Sequence, residues 1–557
     1  MYTQNTRILI YNDEIQPGNQ LRHDATRKVQ IIYWAIKQGP GLGIDQLWFT
    51  LGLARSNIVS QIKGGTSAYV KKAMSLFVEP INALRGFHLH VRGNTVLKFF
   101  RFAIFIEDEV ALKDSFGFKG ASGVQICPLC TNIVAESSNL HQFSSKLQPS
   151  TSLNPAVWHR CNDASMFAKI AKLSQSFGTI TKGAFEELEK SLGWLYIPNG
   201  LMGDGMANPL ELTPATMIFY DYMHTLFVNG VYNVEVGGLL GHLKSVGILQ
   251  SEIHEFLNSL TWPSSVASKS TTGQMVFRKK QEGNLKCSAS ECLGIYMGIR
   301  AFLHIKMPQL QDILKVVASY MALAELIDIL QAVRRGKKVA TDLAHAVAVY
   351  VHAHQQAYSN TLWVPKFHYL QHIAGMISHH KVVVGCFVHE RKHRVAKKFA
   401  ENIRRVGENF ESSILKEVLY MNVQDLSDKD FDQLHIGLVQ PIPANPKLSW
   451  LLQSAMGVHG MVMCARRAHY ELGCVCAVDD FVIFPSEEGV LVGKVCFFAS
   501  INRVNLARIQ IWDAKGGNEF EQAKKDILLD LEGIEDCLTY KELSPIRILA
   551  LPSSLWV

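Results

Sequence analysis

The sequence contains no run of about 18 uncharged apolar residues, the length a membrane-spanning helix needs. Its most apolar region, Ile313 to Val333, is interrupted by Lys315, Glu325 and Asp328 and is read as a buried helix. The first residues follow no signal-peptide plan, since a strand-like run begins almost at once. Cysteine is sparse, 11 in 557 residues with a single CxxC. That excludes a disulfide framework and fits a reducing compartment, nucleus or cytosol. Internal repeats are absent. No membrane partner is expected.

Apolar residues make up 48% of the chain, which sets it among folded globular proteins and apart from disordered ones. Its length calls for two to four domains. Formal charge is 56 − 49 = +7, by itself a weak pointer to a polyanion. Its placement says more. Between Thr361 and Arg405 there are nine Lys/Arg against two acids, Glu390 and Glu401, with six histidines added. A solvated helix face explains a charge run but does not require a lone carboxylate inside it.

Along the chain, Arg7–Asp13 reads as a strand ending in an acid, Lys28–Ile36 as a second and Gln46–Gly52 as a weaker third. Thr66–Leu84 has helical spacing, and Thr95–Asp108 is the strongest strand signal, again ending in acids. This is an α/β arrangement. From 131 to 360 helices are expected at Ala184–Leu192, Thr213–Val231, Leu239–Leu260, Glu291–Ile305, Gln309–Val333 and Asp342–Tyr358. Glu390–Val406 reads as a basic amphipathic helix, 423–448 as a linker and 449–557 as a small β-rich domain.

Two half-sites have metal-ligand spacing. Cys127-Pro-Leu-Cys130 lets two thiolates reach one tetrahedral ion, and His368 with His372 puts two imidazoles on one helical face. Tyr369 stands where a metalloprotease would carry glutamate after His368, so that pair is not a protease motif. Two ordinary cysteines and a chance histidine pair are the plain alternatives; each half lacks two ligands, and if the fold brings them together they complete a closed, structural Cys2His2 zinc site. Three acids sit where a two-metal phosphodiester site needs carboxylates: Asp13 and Asp108 at strand ends, and Glu390 at a helix start. Acids are common at such places for turn and dipole reasons. Asp24 and Asp45 compete with Asp13, and Glu401 and Glu408 with Glu390. Pleat alternation turns Glu107 and Glu109 away from the face of Asp108.

The ordered series Asp13, Asp108, Cys127/Cys130, a helical stretch, His368/His372, Glu390 resembles the DDE transposases of the CACTA, Chapaev and Transib group, related to the catalytic subunit of the V(D)J recombinase. The intervals are 127 − 108 = 19 and 390 − 372 = 18. Asp221-Tyr-Met-His224 with Leu226-Phe227, Pro365-Lys366-Phe367-His368 and Glu390–His393 resemble further elements of that group. The resemblance spans residues 7–410 and implies an RNase H-like α/β core, in two halves (1–130 and 361–422), split by an all-α insertion (131–360). It implies two Mg²⁺ (or Mn²⁺) on Asp13, Asp108 and Glu390, and structural Zn²⁺ on Cys127, Cys130, His368 and His372. Lys392, Arg394, Lys397 and Lys398 would bind DNA phosphates, with Asp221 and His224 as accessory residues. A homodimer in the nucleus follows by similarity. Two other readings stand beside it: a domesticated, non-catalytic zinc-stabilised DNA- or chromatin-binding protein, and a zinc-stabilised interaction protein working through its C-terminal β domain. The group's usual end-recognition domain has no counterpart in the twelve residues before Asp13.

Overall fold

The computed structural model describes residues 6–18, 25–39, 41–78, 86–91, 94–264, 280–281, 284–285, 287–403, 406–427, 436–471, 474–487, 489–516 and 518–551. It is a mixed α/β protein that divides into two compact units. One comprises residues 1–226 and 359–426, the other 227–358 and 427–557.

The first unit is built on a mixed sheet. Strand β1 (Thr6–Ile15) buries Ile8 to Asn12 without alternation, the mark of a central strand covered on both faces. It pairs antiparallel with β2 (Val29–Ile36), which pairs antiparallel with β3 (Phe49–Arg55). Helix α1 (Gly65–Ser75) follows, then the hairpin β4 (Gly86–Val91) and β5 (Asn94–Glu107). The long β5 runs parallel to β1, and its last residues pair in parallel with β6 (Ile218–Tyr220). Helix α2 (Glu109–Phe116) leaves β5 directly, capped by Asp108 and closed by Gly117 at φ 77°, where a left-handed residue is needed. Helices α3 (Asp163–Ser176) and α4 (Lys182–Leu192) precede β6, and α5 (Tyr222–Leu226) follows it.

The chain re-enters this unit as α6 (Pro365–His380), α7 (Phe387–Asn402) and α8 (Phe410–Ser427). Proline at the first turn starts α6, and ten of its side chains are buried, including His368 and His372. Helix α7 buries Val388, His389, Lys392, His393, Ala396 and Ala400 on one face and exposes Glu390, Arg391, Arg394 and Lys398.

In the second unit, helices Val231–Ser245, Gln250–Asn258, Ala289–Lys306, Leu314–Arg334 and Ala340–Tyr358 accompany an antiparallel β-rich part built from strands between Gly437 and Ala550. Asp328, one of the charges interrupting the apolar stretch, is fully buried and receives Arg300 Nη1 at 2.6 Å and Tyr296 Oη at 2.7 Å. A buried charge is tolerable only with such partners. Cys287 and Cys292 are joined as a disulfide, a single local bridge.

Some expectations need correction. Thr213–Val231 is not one helix: Pro214–Met217 and α5 flank strand β6. An apolar Ile-Phe-Tyr run carries no period that separates strand from helix, and the free edge of β5 decides it. Leu239–Leu260 is two helices broken at Gly247, whose φ of 83° ends the first. In the segment 423–448, Gly437–Val439 pairs with Arg467–Glu471 and Pro446 opens a helix, while 428–435 lie outside the described residues.

Candidate metal centre and carboxylate pocket

The CxxC turn is fixed by its own backbone. Cys130 bridges Arg160, Thr131 N donates to His159 O at 2.8 Å, and Cys161 N donates to Leu129 O at 3.0 Å. Asn132 ties the same segment, its Oδ1 accepting from His159 N at 2.8 Å. Helix α6 lies against this turn, with Tyr369 Oη donating to Ile126 O at 2.8 Å.

As a result Cys127, Cys130, His368 and His372, all buried, place one ligand atom each within 4.8 Å of the others. His372 Nε2 is 3.4 Å from Cys127 Sγ, 3.5 Å from Cys130 Sγ and 3.0 Å from His368 Nε2. Zinc bonds of about 2.3 Å to sulfur and about 2.05 Å to nitrogen give tetrahedral S–N edges of roughly 3.5 Å, so the donor set fits that ion. Burial alone would raise the Cys127 thiol, yet its hydrogen bond with Cys130 and the two imidazoles hold it well below its ordinary range. That shared bond, and then burial, push Cys130 up. Burial lowers His372 to about 4, leaving it a neutral ligand. The Arg160 guanidinium lies against His372 Nδ1 and over the Trp158 ring.

The acids gather at one end of the sheet. Strands β1, β5 and β6 run parallel, with Tyr11 opposite Ile106 and Glu107 opposite Tyr220. Continuing those registers sets Asp13 beside Asp108 and Asp108 beside Asp221, each just past the carboxyl end of its pairing run. Asp13 is partly exposed (25% of its side chain), and its Oδ2 accepts from Tyr11 Oη at 2.8 Å and faces His393 Nε2 at 3.2 Å. Burial opposes its ionisation, but the bond and charge of His393 together with Tyr11 hold its pKa below the usual value. Asp13, Glu390 and His393 place ligand atoms within 4.8 Å of one another. Asp108 lies outside that group; half-buried, it accepts from Ala111 N at 2.6 Å as the cap of α2. Its charge still acts on His224, Cys386 and Glu107.

A third group forms at the end of β6. Asp221 is buried; its Oδ1 accepts from Cys386 N at 2.9 Å, and its Oδ2 accepts from His224 N at 2.8 Å and faces His224 Nδ1 at 2.7 Å. Asp221, His224 and Cys386 also place ligand atoms within 4.8 Å of one another. Gly385 makes this approach possible, because a Cβ there would meet the Tyr222 ring at 2.4–2.7 Å.

Among the competitors, Glu107 faces away, buried and bonded by Ser115 Oγ at 2.9 Å; Glu109 pairs with Lys113 at 2.8 Å; Glu401 accepts from Gly18 N at 3.2 Å. Asp45 opens a short helical turn after β2, and Asp24 lies outside the described residues. Lys392 corrects the expectation of a phosphate-binding side chain. It is buried and donates to Asn422 Oδ1 at 2.9 Å, joining α7 to α8. Arg394 and Lys398 are exposed and Lys397 half-buried.

His393 was singled out only as the end of the Glu390–His393 element and given no site role, and Cys386 carried no sequence signal. His389-Glu390-Arg391-Lys392-His393 also spells HExxH, the metalloprotease pattern. In the structure His389 is buried, stacks on Tyr11 at 3.7 Å and lies outside the group that Asp13, Glu390 and His393 form.

The sequence matches no family description and no curated protein.

Proposed function

We propose that the first unit is a metal-dependent DNA nuclease and strand transferase of the DDE transposase type, with an RNase H-like core interrupted by an insertion. The carrying observation is convergence. Asp13, two residues before the end of β1, and Asp108, directly after β5, lie near the carboxyl ends of adjacent parallel strands, and a ligand atom of Glu390, far away in sequence, comes within 4.8 Å of one on Asp13. The sheet runs β3-β2-β1-β5-β4, with β6 paired in parallel to the last residues of β5; its antiparallel β3-β2-β1 part next to the parallel β1-β5-β6 part supports the same reading.

Asp13, Asp108 and Glu390 would hold the catalytic ions, which supply activation of water or a 3′-hydroxyl and stabilisation of the leaving oxygen. Cys127, Cys130, His368 and His372 would hold zinc and fix α6 to the CxxC turn. His393 and Tyr11 orient the Asp13 carboxylate and keep it ionised. Exposed Arg391, Arg394 and Lys398, on the same helix as Glu390, suit phosphate contacts that carry no sequence preference. Nuclear location and homodimer assembly belong to this proposal.

The test is cleavage of generic duplex and hairpin DNA with Mg²⁺ or Mn²⁺. Asp108→Asn and Glu390→Gln should each abolish cleavage while bulk DNA binding persists. Undiminished cleavage in both variants rejects the assignment, and a wild-type protein that binds DNA without cutting it favours the domesticated reading.

A further inference from the structure

Resting on that reading for the identity of the polyanion, we infer that the rim of the first unit at the amino end of β1 is a second duplex-DNA surface, holding phosphates of a segment other than the one being cut. Three cations stand at one level of three neighbouring strands. Arg7 on β1 is the parallel partner of Arg101 on β5. Lys37, one residue past β2, donates its N–H to Arg7 O at 2.8 Å, which continues the β1–β2 register and sets it level with Arg7 on the other side. Direct partners on adjacent strands point to the same face, and strands lie about 4.8 Å apart, so the row spans about 10 Å. Arg7 and Arg101 are exposed and Lys37 is half-buried.

Like charges directly opposite one another cost stability, and a solvated strand end requires no such alignment. Nothing offsets the repulsion: Arg7, Lys37 and Arg101 form no ion pair among the described residues. Burial and then the charge of Arg7 lower the Lys37 pKa, and both cations act in turn on His380 at the end of α6. Lys381, exposed, follows as the left-handed residue that closes α6 and brings a fourth cation to this rim. Duplex DNA carries one negative charge per about 1.7 Å of its axis, so its backbone relieves the row without any base contact. The rim is separate from the carboxylate pocket. Arg7 and Asp13 lie on the same strand, 13 − 7 = 6 residues apart, which is about 20 Å at about 3.3 Å per residue. The strand between them is covered on both faces, so a straight duplex in the pocket does not pass along it. Helix α7, with exposed Arg391, Arg394 and Lys398, stays at the carboxyl end: Arg27, just before β2, donates to Ala400 O at 3.0 Å and to Ile403 O at 2.8 Å.

The experiment uses the full chain carrying Asp108→Asn, so that no DNA is cut, and a labelled generic duplex of about one helical turn. Titration should give two duplexes bound per chain. Combining Arg7→Gln, Lys37→Gln and Arg101→Gln should leave one, and combining Arg394→Gln with Lys398→Gln should also leave one. In the latter background Arg101→Gln alone should reduce the slope of log affinity against log salt by about 0.9, the value of one phosphate contact. A second duplex of unrelated sequence should behave alike, because phosphates carry no sequence information. With the like-charge row relieved, the triple variant should melt at or above the temperature of its parent, which separates lost binding from lost folding. A triple variant that binds as many duplexes as its parent, or a parent that binds only one, overturns the inference. So does a triple variant that loses binding to phosphatidylserine vesicles but not to DNA. The nuclease reading is tested apart: a wild type that never cuts, while the rim substitutions still take the count from two to one, rejects that reading and leaves the rim assignment standing.

Discussion

Asp108 has an observed role and a proposed one that one substitution can separate. As the cap of α2 it accepts from Ala111 N, which asparagine can also do, whereas a cation ligand needs the charge. Asp108→Asn should therefore change unfolding free energy by less than about 0.5 kcal/mol, and Asp108→Ala should cost about 1 kcal/mol, both by urea denaturation. A large loss in the asparagine variant would show that the carboxylate is chiefly structural. His380 offers a pH test remote from the metal ligands. Burial lowers it to about 4, and its neutral Nε2–H donates to Thr216 O at 2.8 Å. The unfolded chain, with histidine near its ordinary value, binds more protons between that value and about 4. Stability is thus present above the unfolded pKa and is lost as pH falls through this window. His380→Phe should lose less stability than wild type between those limits, by on the order of 2 kcal/mol. Parallel curves for the two proteins would contradict it.

At the scale of elements, the sequence was legible where a pattern had one interpretation. The run Arg7–Asp13 and the long β-rich stretch ending at Asp108 became β1 and β5, and the four zinc-type ligands met because His368 and His372 do share a helical face. Strand β6 was hidden, since Ile218–Tyr220 takes its conformation from pairing with β5 and not from local preference. Asp221 was named as an accessory residue, but that error concealed its place just past β6 at the end of the sheet. Lys392 failed for a related reason: a basic helix read from charge alone has no inside, and the buried face of α7 includes one of its lysines. The apolar helix Leu314–Arg334 carries its own prediction. Asp328→Ala would remove the buried carboxylate that Arg300 and Tyr296 both donate to and should destabilise the protein by about 3–5 kcal/mol in chemical denaturation. A change below 1 kcal/mol, on this scale, would mean the pair is dispensable.

For the whole molecule, the account requires two kinds of metal in separate places. Purified protein should contain about one zinc per chain by elemental analysis, lost in Cys130→Ser and in His372→Ala, with a lower melting temperature after chelation. The proposed carboxylate pocket would differ, because its oxygen-rich ligands suit an exchangeable hard cation. The most direct measurement is Mn²⁺ binding to zinc-loaded protein by electron paramagnetic resonance, comparing wild type with Asp13→Asn and Glu390→Gln. The account predicts Mn²⁺ bound by wild type and lost from both variants, with zinc content unchanged in all three. Equal Mn²⁺ binding in the three proteins, or none in wild type, would contradict it.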